Sequence, residues 1–332
     1  MPKMKILVTR FSSIGDIVLA SPVLRCLKQQ LPGAEVHLLT KRSFKAVTAE
    51  NPYVDSFFYL DDDLDAVIKA LKKENYDYVV DLHKNFRSLK VKSALRKKSF
   101  TIKKLSWQKF LLTRFHINLM PERHITLRSL DTVAKLGVKD DGLGLDYFIA
   151  KQDEVAMERL PATHRNGFVA IVIGASYETK KLPVYKLQEL CRHINRPVIL
   201  LGGKEDEENG DAIAAVDSVK IFNACGKFRL NESADLVRQS LVVVSHDTGL
   251  QYIACAFNKK VFAVWGATSP ALDVEPYYGS SCTEKMYENI IVPLKCQPCS
   301  KYGQHKCPLG HFNCMNKQDM LMLAEKVNAV IQ

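Results

Sequence analysis

Residues 5–30 read KILVTRFSSIGDIVLASPVLRCLKQQ. The first five form an apolar run suited to a strand, and from about Ile14 to Gln30 apolar residues recur with helical spacing. Between them Ser12, Ser13, Ile14, Gly15 and Asp16 make a small, polar turn. A strand, a tight turn and a helix open a βαβ unit, and the alternation continues. Residues 35–40, 56–60 and 77–82 read as strands, with a helix over 64–73. The pattern weakens near 138–165, read as a linker region, and restarts at 168–174 (FVAIVIG). Strands over 197–201, 219–223, 241–245 and 260–265 then alternate with helices over 185–194, 205–217, 231–239 and 249–257, and 317–331 reads as an amphipathic helix. Such alternation predicts an α/β protein with parallel sheets. Two domains are expected, 1–160 and 161–332, with a ligand cleft beyond the carboxyl ends of their strands.

The 332 residues suit two domains. Apolar content of 47% and charged content of 25% exclude a disordered, collagen-like or coiled-coil chain. The net charge is +11, and it is uneven: residues 1–160 carry 28 basic and 19 acidic side chains, the remainder 19 and 17. No stretch approaches the ~18 apolar residues of a membrane span. The run in MPKMKILVTR stops at Arg10, so it reads as a strand rather than a signal peptide, and a cytoplasmic protein is expected. Nine cysteines are too sparse for a disulfide scaffold.

Four places have the residues for chemistry. Ser12, Ser13 and Gly15 leave room for N–H groups to face a phosphate at a helix N-terminus, with Asp16 beside them. The same residues suit an N-cap with a first-turn acid. Ser245-His246-Asp247-Thr248-Gly249-Leu250 repeats the strand-to-helix geometry in the second half; two such turns make capping alone a weaker explanation for the pair. Lys180 and Lys181 lie after the strand ending at Gly174, where a lysine neutralises a diphosphate or merely sits in solvent. Gly202-Gly203-Lys204-Glu205-Asp206 pairs a close-approach turn with acids that accept from a ribose or favour a helix start. Neither a Walker A loop nor a G-x-G-x-x-G fingerprint is present, which argues against a P-loop NTPase and a Rossmann dehydrogenase.

In this order SSIGD (12–16), Pro22, KKLP (180–183), GGKED (202–206), HDTGL (246–250) and WGATSP (265–270) resemble the ADP-heptose:lipopolysaccharide heptosyltransferases of glycosyltransferase family 9, over nearly the whole chain. The resemblance implies a GT-B fold: two Rossmann-like domains facing each other across a cleft, acceptor mainly on the N-terminal one and nucleotide sugar on the C-terminal one. It implies an inverting, metal-independent transfer with no cofactor. Asp16 matches the catalytic base, Lys180 the lysine on the donor phosphates, Glu205 the ribose acid, and Asp247, Thr248, Gly249 and Leu250 the donor-binding loop. Many members carry a histidine two residues after DTGL; this chain has Tyr252 there. A different nucleotide sugar on the same fold is therefore the alternative reading.

The chemistry agrees with these roles. An inverting transfer needs a carboxylate to take the acceptor proton and positive charge aimed at the leaving diphosphate. Asp61-Asp62-Asp63 reads as a solvated turn and helix start rather than a metal motif. Residues 84–109 hold ten Lys/Arg and no Asp or Glu, with Phe86, Phe100 and Trp107 interleaved. Nucleic acid, an anionic membrane or a phosphorylated acceptor each suits such a strip. With a glycosyltransferase framework, an anionic glycolipid acceptor at the inner-membrane surface is the economical partner, alongside an ADP-sugar donor, and a peripheral location follows. A basic nucleic-acid-binding protein is the rival from another class; it lacks a recognisable module, and no nucleic acid is expected. Cys296, Cys299, Cys307 and Cys314 fall within 19 residues near His305 and His311. They have ligand chemistry for structural zinc, but the spacings are not those of a standard zinc ribbon. The segment is read as a structural element near the donor domain, with the metal left open.

Overall fold

A computed structural model describes residues 4–331, which fall into two compact units. The first runs through Lys104, resumes over Arg123–Phe148 and includes Gly279–Cys282. The second takes Leu105–Glu122, Ile149–Tyr278 and the residues from Thr283 onward.

The first unit is built on five parallel strands: β1 (Lys5–Thr9), β2 (Glu35–Lys41), β3 (Ser56–Leu60), β4 (Tyr78–Asp81) and β5 (Lys98–Thr101), in the order β3-β2-β1-β4-β5. Central β1 is covered on both faces, which is why KILVT lacks polar alternation. Ile6 and Val8 pack with Val36, Leu38 and Val80 against Val23, Leu24 and Leu27. Leu7 points the other way, to Leu39, Val79, Ile68, Leu71 and Val91. The single helix expected over 14–30 is two helices, Ile14–Val18 and Ser21–Gln30. Pro22 has no N–H to give the Val18 carbonyl in a continuous helix, yet suits the first turn of a new one, where a missing N–H costs nothing.

The second unit holds β6 (Val169–Val172), β7 (Val198–Leu201), β8 (Ile221–Asn223), β9 (Val242–His246), β10 (Val261–Val264) and β11 (Tyr287–Ile290), all parallel, in the order β11-β10-β9-β6-β7-β8. Helix Val184–His193 lays Leu187 and Leu190 on one face of this sheet, and helix Met320–Val330 packs Leu323 and Val327 into the same core. The helix expected over 205–217 opens as a tighter turn at Lys204–Asp206 and is regular only over Glu207–Ala214. Asp206 explains the tight start: its carboxylate accepts from the Gly203 N–H at 3.0 Å. The stretch 138–165 contains no strand, only short turns such as Lys151–Asp153 and Met157–Arg159. Helix Ser106–Phe115 joins this unit by burying Leu112 with Met120 and Leu272.

Candidate functional site

In the first sheet the chain runs outward from β1 to β3, then returns to the other side of β1 at β4. Loops diverge at such a switch point and leave a crevice at the carboxyl edge. The loop after β1 carries Arg10 to Ser13, and the loop after β4 carries His83 to Asn85. Ser13 is the N-cap of helix Ile14–Val18, and Asp16 Oδ2 accepts from the Ser13 N–H at 3.2 Å and from its hydroxyl at 3.1 Å. Arg10 Nη2 lies 2.6 Å from the same oxygen. Burial pushes the Asp16 carboxyl up, but the Arg10 charge and the Ser13 donors outweigh it and hold it below the ordinary aspartate value. The group is therefore ionised at neutral pH, and its side chain is still 41% exposed.

Arg10 also donates to the Leu82 carbonyl, tying the two loops together, while its Nε is buried with no partner. His83 has a buried Nδ1 without a partner and sets its ring edge-on to Phe11. Burial, then the Arg10 and Lys104 charges, push His83 down to about 4. Lys104 is likewise lowered by burial and by Arg10. Buried Asp81 fixes the second loop by accepting from the His83 N–H (3.0 Å), the Lys84 N–H (2.7 Å) and the Ser88 hydroxyl (2.9 Å), with Lys92 Nζ at 2.8 Å. Asp16 is thus a reachable carboxylate in cationic surroundings. Gly15 is buried and Ser12 half-buried at the same turn.

The second sheet has its switch point between β6 and β9. There Lys180 Nζ lies 2.6 Å from Asp247 Oδ2 and donates to the Asp247 carbonyl at 3.1 Å. Asp247 also accepts from the Thr268 hydroxyl (3.0 Å) and the Tyr252 hydroxyl (3.3 Å), the latter donating to the Val274 carbonyl as well. Thr248 is the N-cap of helix Gly249–Ala256, but its side chain makes no capping bond and its hydroxyl is buried without a partner. First-turn N–H groups at Gly249 and Leu250 left uncapped by that hydroxyl are suited to an anion. The neighbouring Lys181 is committed elsewhere, to Asp206 (3.0 Å) and Glu178 (2.9 Å). His246 Nε2 accepts from the Leu182 N–H at 2.9 Å, which holds the lysine loop against β9. Glu205 is exposed on the turn after β7, its carboxylate folded over Gly203 so closely that a Cβ there would collide with it. The structure therefore brings Lys180, Asp247 and Thr248 together and leaves Glu205 at the rim of β7.

Residues 296–314 brace this site. The Thr179 hydroxyl and backbone Gln304 exchange bonds at 2.9 and 2.7 Å, and the Cys299 N–H donates to the Ala267 carbonyl at 3.0 Å. Gln297 Nε2 reaches the Gly266 carbonyl at 2.6 Å and the Thr268 carbonyl at 3.2 Å. Gly303 has φ +97°, and a Cβ there would press on Tyr177 and the Lys180 stem, so only glycine fits. Cys314 is pushed up to about 12 by burial and by the Cys299, Cys307 and Cys296 thiols. Cys296 Sγ lies 3.9 Å from His311 Nε2. Among the described residues no group of three or more His, Cys, Asp or Glu is placed to hold a metal ion.

The two site histidines, His83 and His246, are both depressed and make a stability prediction. A group whose folded value lies below its unfolded value of about 6.5 stabilises fully above that pH and loses its contribution as pH falls. His83 is lowered to about 4, and His246 to about 3 by burial and then by Lys181 and Lys180. At pH 5 each is expected to remove about 2 kcal/mol. Urea unfolding between pH 7 and pH 5 should show this slope, flattened in His83→Gln; an unflattened slope refutes it.

Arg10 and His83 enter the site without belonging to a motif that singles them out as functional. Only their position after β1 and after β4 marks them, whereas Tyr252 is marked by its place two residues after DTGL.

Comparison with known proteins gives the class first. A solved structure of E. coli ADP-heptose lps heptosyltransferase II superposes with a TM-score of 0.73 at 18% identity, covering 99% of this chain and 98% of that one. E. coli heptosyltransferase WaaC with ADP gives 0.69 at 19% identity, covering 98% and 100%. The two parallel α/β sheets are those of the GT-B glycosyltransferases. The model of glycosyltransferase family 9 (heptosyltransferase) matches residues 64–308. The chain belongs to that family and is a glycosyltransferase. It is 24% identical over 292 residues to lipopolysaccharide heptosyltransferase 1 of Campylobacter coli, spanning 80% of this chain and 84% of that one. It is 25% identical over 297 residues to lipooligosaccharide heptosyltransferase 2 of Haemophilus ducreyi, spanning 81% and 85%.

Proposed function

We propose that the protein transfers heptose from ADP-heptose to a lipopolysaccharide core acceptor, with inversion and without a metal ion in the chemical step. The observation that carries this reading is Asp16: an ionised, half-exposed carboxylate held at a switch-point loop by Arg10 and Ser13. It would take the acceptor hydroxyl's proton as that oxygen attacks the anomeric carbon and the nucleoside diphosphate leaves with the bonding pair. The excess of cations beside it, Arg10 and Lys104, suits an acceptor that is itself anionic. Ser12, Ser13 and Gly15 shape the turn that receives it.

The donor is assigned to the second unit. Lys180 would exchange Asp247 for the diphosphate, joined by N–H groups of Thr248, Gly249 and Leu250, and together they would stabilise the charge that develops on the leaving group. Glu205 is assigned to the ribose. The names of the relatives, lipopolysaccharide and lipooligosaccharide heptosyltransferases, support the sugar and acceptor, and the relative solved with ADP supports the nucleotide. No described helix is long and apolar enough to cross a membrane. The reading places the enzyme in the cytoplasm, peripheral to the inner membrane, where the acceptor would be.

Tyr252 favours a second reading. Its hydroxyl engages Asp247 and the Val274 carbonyl where many members carry histidine, so a different nucleotide sugar is the alternative donor. A thermal-shift panel of ADP, UDP, GDP and single-stranded and duplex DNA separates the readings. At about 100 Kd, ADP should add about 2.7 kcal/mol. A shift with another nucleotide alone selects the alternative donor, and a shift with DNA alone refutes the nucleotide-sugar assignment of this site.

A further inference from the structure

The segment 105–119 carries a surface that neither substrate explains. Helix Ser106–Phe115 buries only Leu112, against Met120 and Leu272. Trp107, Phe110, Phe115, Ile117 and Leu119 are instead between 41% and 65% exposed. They form one patch at least in part: the Trp107 and Phe110 rings stack at 5.6 Å, and Phe115 meets Phe110 edge-on at 5.8 Å. A concentration of large exposed apolar side chains marks an interaction surface.

The charge around it selects the partner. Between Asp81 and Glu122 there are eleven Lys/Arg and no Asp or Glu. Lys109 and Arg114 lie on the helix itself, and Lys301 reaches it by donating to the Ser106 carbonyl at 3.2 Å, with exposed Tyr302 alongside. Aromatic side chains on a short helix whose charged residues are all basic are the composition of an interfacial helix, which lies in the headgroup layer of a bilayer. Tryptophan suits that layer because its ring is apolar and its N–H stays wet. Each basic residue near an anionic leaflet adds about 1 kcal/mol.

We propose that residues 105–119 dock the enzyme on an anionic phospholipid bilayer, with Trp107, Phe110 and Phe115 entering the headgroup region and Lys109 and Arg114 facing lipid phosphates. This builds on the reading that the acceptor is lipid-borne, and the test uses neither donor nor acceptor, so the two can fail separately.

The full-length protein is mixed with vesicles of phosphatidylcholine alone, or of phosphatidylcholine and phosphatidylglycerol in a two-to-one ratio. Trp265 is fully buried, so the change in emission on binding reports Trp107. The expected result is a blue shift and protection from iodide quenching with the anionic vesicles only. Co-flotation of the triple variant Trp107→Ser, Phe110→Ser, Phe115→Ser should weaken about tenfold or more, and that of Lys109→Glu with Arg114→Glu likewise. Trp107, Phe110, Arg114 and Phe115 are exposed on this helix and Lys109 is half-buried, and an unchanged melting temperature confirms that the variants fold. Equal binding to both vesicle types overturns the proposal, as does equal binding by the triple variant. A variant that instead turns a dimer into a monomer, with no vesicle binding by either form, also overturns it and makes the patch a contact between copies. If vesicle binding behaves as expected while ADP gives no thermal shift in the separate nucleotide panel, the docking surface stands and the proposed ADP-heptose donor falls.

Discussion

Asp16→Asn is expected to lower kcat by roughly 10²–10⁴-fold, the usual span for removing a general base. Asparagine is nearly isosteric and keeps an oxygen that can accept from the Ser13 N–H, so the cap on helix Ile14–Val18 should survive. What disappears is the proton acceptor and the charge that pairs with Arg10. Donor affinity should change little, because the donor is assigned to residues of the other unit. The measurement is kcat beside the Kd for ADP and the melting temperature. A kcat within about threefold of the parent would reduce Asp16 to a helix cap. Its lowered folded value also shifts the acid limb of the rate profile: activity should persist to lower pH than an ordinary aspartate base would allow.

Lys180→Met is expected to cost about 10²–10³ in kcat, the loss seen when one preorganised stabiliser of a developing anion is removed. Methionine keeps the stem that packs near Gly303 and removes only the ammonium. The substitution leaves Asp247 without its cation, although the Thr268 and Tyr252 hydroxyls still donate to it. Some stability is therefore lost along with activity. The double variant Lys180→Met, Asp247→Asn separates the two effects, because it removes the orphaned charge. Melting temperature should recover in the double variant while turnover stays low. Recovery of both would make Lys180 a structural partner of Asp247.

Much of this was legible in the chain. Strongly apolar strands such as KILVT and LVVVS announce themselves because parallel strands are buried on both faces. The turns holding Asp16 and Asp247 follow from them, since a switch-point loop begins where a central strand ends. Other features left no local trace. The strand Tyr287–Ile290 reads YENI, with Glu288 and Asn289 adjacent at its centre and no alternation, because it lies at the edge of its sheet. The helices Phe86–Leu95 and Ser106–Phe115 lie in a strip so rich in lysine and arginine that charge hides their periodicity. Arg10 and His83 become visible as site residues only when β1 and β4 are adjacent, a pairing of residues some 70 positions apart.

The assignment of Leu105–Glu122 to the second unit bears on how the protein is made. The helix Ser106–Phe115 is synthesised with the first unit, but Leu272, which covers Leu112 and Met120, comes about 160 residues later. At roughly 5–20 residues per second, the ribosome needs on the order of 10–30 s to supply it. During that interval Leu112 and Met120 lack their final cover, next to the exposed rings of Trp107 and Phe110. The first unit can close its own sheet during translation, since all five of its strands precede residue 105. The second unit cannot: it must retrieve a piece of chain released long before, so its last folding step waits for the carboxyl-terminal half to emerge.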